Sequence, residues 1–175
     1  MKMVSIAEYD IYFSGKSNGF YSFDYIIGND FFKLFPKPPI EEGTLNVHLQ
    51  MEKKQKLLIF DFKITGEIAL VCDNCLEKFM SPVLLTAKQY VKLGQIYEEL
   101  DEVTISIPHS EEKINVAQWI YETIVLSIPI RRVHPLDENG HPTCNPDMIK
   151  RIKDLSQTNQ IKKDSRWDKL TTLLN

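Results

Sequence analysis

Cys72-Asp73-Asn74-Cys75 places two thiols two residues apart, and a third, Cys144, stands far downstream in a loop that also holds His134 and His141. Cysteines at that spacing can turn both sulfurs into one tight turn, where backbone N–H groups stabilise thiolates. They then supply half of a tetrahedral zinc site. The other half has to come from the stretch Arg131 to Cys144. His141-Pro142-Thr143-Cys144 repeats the two-residue spacing and would complete a set of Cys72, Cys75, His141 and Cys144; His134 is the alternative fourth ligand. A redox pair and three inert packed thiols are the competing readings. A thioredoxin-like pair needs its second cysteine inside a helix that follows the strand. Here extended character resumes at Phe79, and Pro82 follows Cys75 within seven residues. Inert packing is the ordinary fate of a thiol in a reducing compartment.

Catalysis finds less support. A catalytic zinc keeps one coordination position open and needs a general base nearby. The neighbouring carboxylates Asp73, Glu77, Asp137 and Glu138 read equally well as solvated turn residues. No Gly-rich phosphate loop, nucleophile elbow or His-Glu-x-x-His pattern occurs, so no residue is assigned a catalytic role. Among the basic residues, adjacent Arg131 and Arg132 can clamp phosphate or satisfy carbonyls at a helix exit. Trp167 stands among Lys162, Lys163, Arg166 and Lys169, a basic setting in which an indole can stack on a base or anchor a helix.

The chain that must position these groups has 175 residues, enough to bury roughly two-thirds of its unfolded surface without disulfides. An odd cysteine count with no apolar export segment near the start fits a reducing cytoplasm. No run approaches the roughly twenty apolar residues of a membrane helix. Net charge is −3, unevenly distributed: from Pro146 onward seven Lys/Arg face four Asp, leaving −6 on the preceding residues. A polyanion can touch that tail while the body repels it.

Alternation of period two dominates the first two-thirds. Ile11 and Phe13, then Tyr21 to Ile27, read as strands joined by a hairpin loop over residues 15–19. A short helix is expected around Asp30 to Leu34. Leu45, Val47, Leu49 and Met51 share one face of the next strand. Leu58 to Cys72 holds its even-position apolar parity through Gly66, which predicts one long strand bent at the glycine; a hairpin at Thr65-Gly66 is the competitor. Phe79 to Leu93 and Val103 to Ile107 are further strands, separated by the acidic loop Glu98 to Glu102. Helical spacing then begins: Val116, Trp119, Ile120, Ile124 and Val125 follow a cap at Asn115, with Gln118 placed to reach back. Trp119 is expected against the face carrying Phe60, Phe62 and Ile64. Asn145-Pro146 opens a helix to about Leu155, and Ser165 opens another to Leu174. The fold class is α+β: a bent antiparallel meander, partly barrel-like, covered by the Asn115–Ile128 helix, with two C-terminal helices. The domains are a 1–145 core and a basic 146–175 extension.

Val71-Cys72-Asp73-Asn74-Cys75-Leu76-Glu77, the stretch Ile114 to Glu122, the run Leu126 to Pro135, and Asp164 to Leu170 together resemble the YceD-like family, the large ribosomal RNA subunit accumulation proteins. The resemblance extends from about Leu45 onward. It implies a cytoplasmic, non-enzymatic factor in large ribosomal subunit biogenesis that supports 23S rRNA accumulation. Its partner would be ribosomal RNA or a large-subunit ribosomal protein, with no membrane and no small-molecule substrate. Many relatives carry a second cysteine pair in the downstream loop; here Cys144 stands alone, with His134 and His141 as imidazole substitutes. Ser165 occupies a place where relatives often have proline. A zinc-stabilised interaction module unrelated to RNA is the alternative, and a metal-dependent hydrolase the third reading.

Overall fold

A computed structural model describes residues 5–141 and 143–158. Its strands are β1 (Asp10–Tyr12), β2 (Gly19–Ile27), β3 (Gly43–Lys53), β4 (Leu57–Val71), β5 (Lys78–Gly94), β6 (Glu98–Asp101), β7 (Thr104–Pro108) and β8 (Lys113–Asn115). The helices are α1 (Asn29–Phe32), α2 (Ala117–Leu126) and α3 (Pro146–Thr158). Two compact units emerge. One comprises the chain up to Leu70 together with Lys78–Ile130; the other joins Val71–Glu77 to the chain from Arg131 on.

The first unit is built on a six-stranded sheet in the order β2-β3-β4-β5-β7-β6. The strict alternation of β3 explains its place: Leu45, Val47, Leu49 and Met51 are buried and the residues between them are exposed. In antiparallel register these four lie opposite Gly66, Ile64, Phe62 and Phe60 of β4, so two apolar rows share one face. β4 runs unbroken through Gly66, as the parity predicts, and no hairpin forms there. The glycine has φ +145°, and a Cβ at this position would collide with the carbonyl oxygen of Thr44. Close approach of β3 is therefore what requires glycine.

α2 covers the apolar face with Ala117, Ile120 and Ile124, all buried. Trp119 is half-buried, with its ring centroid 5.5 Å from that of Phe60 and 6.4 Å from that of Phe62. A second aromatic group fills the space beside α1: Tyr9 stacks on Tyr25 at 5.2 Å, and Phe35 on Tyr121 at 3.9 Å. Burial holds the Tyr9 and Tyr25 phenols protonated, raising both pKa values to about 12, and at Tyr9 the nearby Glu8 charge adds to the effect.

Several expectations are corrected. Residues 15–19 do not close a hairpin: β1 pairs with β8 in a separate two-stranded sheet, while β2 pairs with β3. Ile11 and Ile114 both face the core, and their cross-strand match outcompetes the local turn. The acidic segment Glu98–Asp101 is a strand rather than a loop, antiparallel to β7 with a register shift between Glu99 and Asp101. Its exposed carboxylates blunt a sheet edge. β5 and β7 run parallel, so the sheet is mixed, and it does not close into a barrel. At α2 the cap position falls to Val116, one residue later than expected; the Asn115 side-chain oxygen still accepts from the Ala117 N–H at 3.1 Å, and Gln118 donates forward to Glu122 instead of reaching back.

Within the second unit, α3 starts as its sequence predicts. The Asn145 side-chain oxygen accepts from the Asp147 N–H at 3.0 Å, and Pro146 occupies the first turn. The helix expected from Ser165 to Leu174 lies outside the described residues.

Candidate metal centre

Cys72 follows β4 and opens a turn fixed by its own backbone. The Cys72 carbonyl accepts from the Leu76 N–H at 2.9 Å, and the Cys72 N–H donates to the Glu77 carbonyl at 2.9 Å. Leu76 takes φ +62°, a left-handed conformation that is uncommon for a bulky side chain and leaves it exposed. The turn aims both sulfurs inward: Cys72 is fully buried and Cys75 is 4% exposed. Resumption of extended chain at β5 removes the helix that a thioredoxin-like pair requires.

The downstream loop reaches this turn through Asp73. Its N–H donates to the Arg132 carbonyl at 2.7 Å, and its carboxylate accepts from the Arg132 N–H at 2.7 Å and from the guanidinium at 3.1 Å. The Asn145 amide donates to Glu77 at 2.7 Å on the other side. These polar ties hold the segments 71–77 and 131–145 in register and deliver His134 and Cys144 to the thiol pair.

Four donors converge: the ligand atoms of Cys72, Cys75, His134 and Cys144 all lie within 4.8 Å of one another. The Cys72 and Cys144 sulfurs are 3.7 Å apart, and His134 Nδ1 lies 3.4 Å from the Cys75 sulfur and 3.7 Å from that of Cys144. A tetrahedron with Zn–S bonds of about 2.3 Å and a Zn–N bond of about 2.0–2.1 Å has S···S edges of about 3.8 Å and S···N edges of about 3.6 Å. The donor set therefore fits zinc in both chemistry and spacing. All three cysteines are free thiols.

The electrostatics favour an anion at one corner. Burial opposes ionisation of Cys72, but N–H groups of Cys75 and Asn74 and the side chain of His134 stabilise the thiolate, and together they pull its pKa down to about 6. Burial, reinforced by the hydrogen bond that the Cys144 S–H donates to the Cys72 sulfur, pushes the Cys144 thiol up.

Of the two candidate histidines, His134 joins the cluster. His141 does not: it is exposed, with its Nδ1 3.5 Å from Asp137. The cause is local. Asp137 accepts from the N–H groups of Asn139 and His141, folding residues 137–141 into a tight turn that directs the His141 ring away. The pairing of Asp73 with Arg132, missed at the level of sequence, had a signal in the carboxylate standing inside the thiol turn. Arg131 is exposed, Arg132 is half-buried against Asp73, and Lys162, Lys163 and Arg166 lie outside the described residues. Among the described residues, no helix is long and apolar enough to cross a membrane.

Comparison with curated proteins and with solved structures found no match. The family model described as large ribosomal RNA subunit accumulation protein YceD matches residues 60–174, a span that contains the thiol turn, α2, the His134–Cys144 loop and α3. The chain belongs to the YceD family of large ribosomal RNA subunit accumulation proteins.

Proposed function

We propose that this protein is a cytoplasmic, non-enzymatic factor in large ribosomal subunit biogenesis that supports accumulation of 23S rRNA, and that Cys72, Cys75, His134 and Cys144 hold a structural zinc ion. Family membership over residues 60–174 carries the functional reading. The match between the observed donor spacings and a zinc tetrahedron supports the metal.

Zinc bound there would tie the thiol turn to the downstream loop, and four protein donors leave no coordination position for a substrate. The nearby carboxylates already have structural work, Asp73 with Arg132 and Glu77 with Asn145. That argues for a structural rather than a hydrolytic metal. Contact with ribosomal RNA would fall to the basic end of the chain: the exposed Arg131, then Lys150, Arg151 and Lys153 of α3, and Lys162, Lys163 and Arg166 beyond. A large-subunit ribosomal protein is the other partner this reading admits.

Depletion of the protein, followed by measurement of 23S against 16S rRNA and of subunit profiles on sucrose gradients, tests the function. A selective deficit of 23S rRNA and of large subunits is expected, and an unchanged ratio sinks the reading. Metal analysis of protein purified without chelator tests the zinc: one equivalent is expected, and none counts against it.

A further inference from the structure

Two grooves in the first unit meet at Trp119. One, of about 390 Å³, is lined by Tyr97, Ile105, Ile107 and Ile114 with Glu111 on its margin. The other, of about 410 Å³, is lined by Leu85, Ala87, Val103 and Leu126 with Glu102 and Glu122. Ile105 and Ile107 form a buried floor, and apolar side chains at the mouth are open to solvent: Tyr97 is 64% exposed and Leu126 84%. Exposed apolar surface with a polar rim marks an interaction site.

The rim has one sign. From Gln95 to Glu112 the sequence carries six carboxylates and no Lys or Arg. The two lysines that do line the grooves are each engaged by a carboxylate, Lys113 by Asp10 at 2.7 Å and Lys88 by Asp61 at 2.8 Å. A phosphate backbone is repelled by such a rim, and a second copy would bring the same acidic edge against itself. A polycation is attracted, and apolar side chains on it would fill the floor that charge alone leaves wet.

We propose that this face docks a Lys/Arg-rich, extended protein segment whose apolar side chains seat beside Trp119 while its cations meet Glu102, Glu111 and the carboxylates of β6. The inference rests on the ribosome-biogenesis reading and assigns the acidic face to a basic protein partner, leaving RNA to the opposite sign of charge elsewhere in the chain.

The probe is a fluorescein-labelled pool of peptides about a dozen residues long, mixing Lys and Arg with Leu and Phe. Controls are the same pool with Ser in place of Leu and Phe, and an RNA oligonucleotide of similar length. Full-length protein is titrated by fluorescence anisotropy. Binding of the first pool over its Ser control is expected, weakened about tenfold or more by Tyr97→Ala and separately by Glu102→Lys with Glu111→Lys, whereas RNA held by the basic end of the chain should be indifferent to Tyr97→Ala. These positions are exposed, so the melting temperatures of the variants should match the wild type. Absence of binding by the pool, equal binding of the Ser control, binding of the RNA that Tyr97→Ala weakens, or indifference to both sets of substitutions each overturns the proposal. Self-association detected by sedimentation and lost in Tyr97→Ala would assign the face to a second copy and also overturn it. The 23S deficit on depletion is read independently, so failure of the peptide experiment and failure of the biogenesis reading remain distinguishable.

Discussion

Replacing His134 with alanine removes one of four donors from the thiol cluster, and its effect on zinc affinity can be worked out in advance. Structural zinc contributes roughly 10–16 kcal/mol of apparent binding free energy near neutral pH. Spread evenly over four ligands, each accounts for about 2.5–4 kcal/mol, which is roughly a hundred- to a thousandfold in affinity at about 1.4 kcal/mol per decade. Water can take the vacated position, which places the loss toward the lower end. His141→Ala should leave affinity unchanged, because that ring is exposed and faces Asp137. Competition against a chromogenic chelator measures the affinities, and thermal melts at fixed free zinc give a second readout. With free zinc about a hundredfold above the wild-type Kd, the metal stabilises the wild type by about 2.7 kcal/mol and His134→Ala by less than about 0.5 kcal/mol. Two results refute the reasoning: His134→Ala binding zinc as tightly as the wild type, or His141→Ala losing as much as His134→Ala.

Four further outcomes are expected. Trp119→Ala should cost about 3 kcal/mol in urea unfolding, the low end for a tryptophan because the ring is only half-buried; a loss below about 1 kcal/mol would contradict its packing on Phe60 and Phe62. Gly66→Ala should destabilise by more than about 2 kcal/mol, since the new Cβ meets β3 backbone that cannot rotate away, and a wild-type melting temperature would show that β3 yields. Tyr9 and Tyr25 have pKa values raised to about 12 from 10.0, so their contribution to stability is full below pH 10.0 and is lost as pH rises through about 12; ultraviolet titration should find two phenols that ionise only there or on unfolding. Cys72 has the opposite sign in metal-free protein: its pKa falls from 9.0 to about 6, so its contribution is full above pH 9.0 and is lost as pH falls through about 6, and the stability gap to Cys72→Ser should close over that range.

What the sequence disclosed depended on how local the determining physics was. The apolar parity from Leu58 to Cys72 survives Gly66, and β4 follows it, because a period-two pattern and a missing Cβ both act within one strand and its neighbour. The thiol turn and the Asn145-Pro146 helix start were legible for the same reason. The partner of β1 was not: β8 lies some hundred residues downstream, and nothing in Gly15 to Gly19 reports that Ile114 offers a better match than Tyr21. The parallel pairing of β5 with β7 is likewise a long-range choice with no trace in either strand's alternation. The choice between His134 and His141 rested on spacing, which favours His141, against an Asp137-centred turn whose hydrogen bonds turn that ring aside.

The separation of the donors along the chain has a consequence for the order of events during synthesis. Cys72 and Cys144 are 72 residues apart, and His134 belongs to the same later segment. A polypeptide growing at about 5–20 residues per second exposes the first thiol pair some 4–14 s before the last sulfur is made. Until His134 is added the nascent chain offers two of the four ligands, a chelate that an exchanging metal would enter and leave. At the proposed zinc site, tight retention would begin only once Cys144 has been added, after β5 to β8 and α2 have all been translated. Zinc held against a competing chelator would thus act as a timestamp, separating chains translated past Cys144 from those that carry only the first thiol pair.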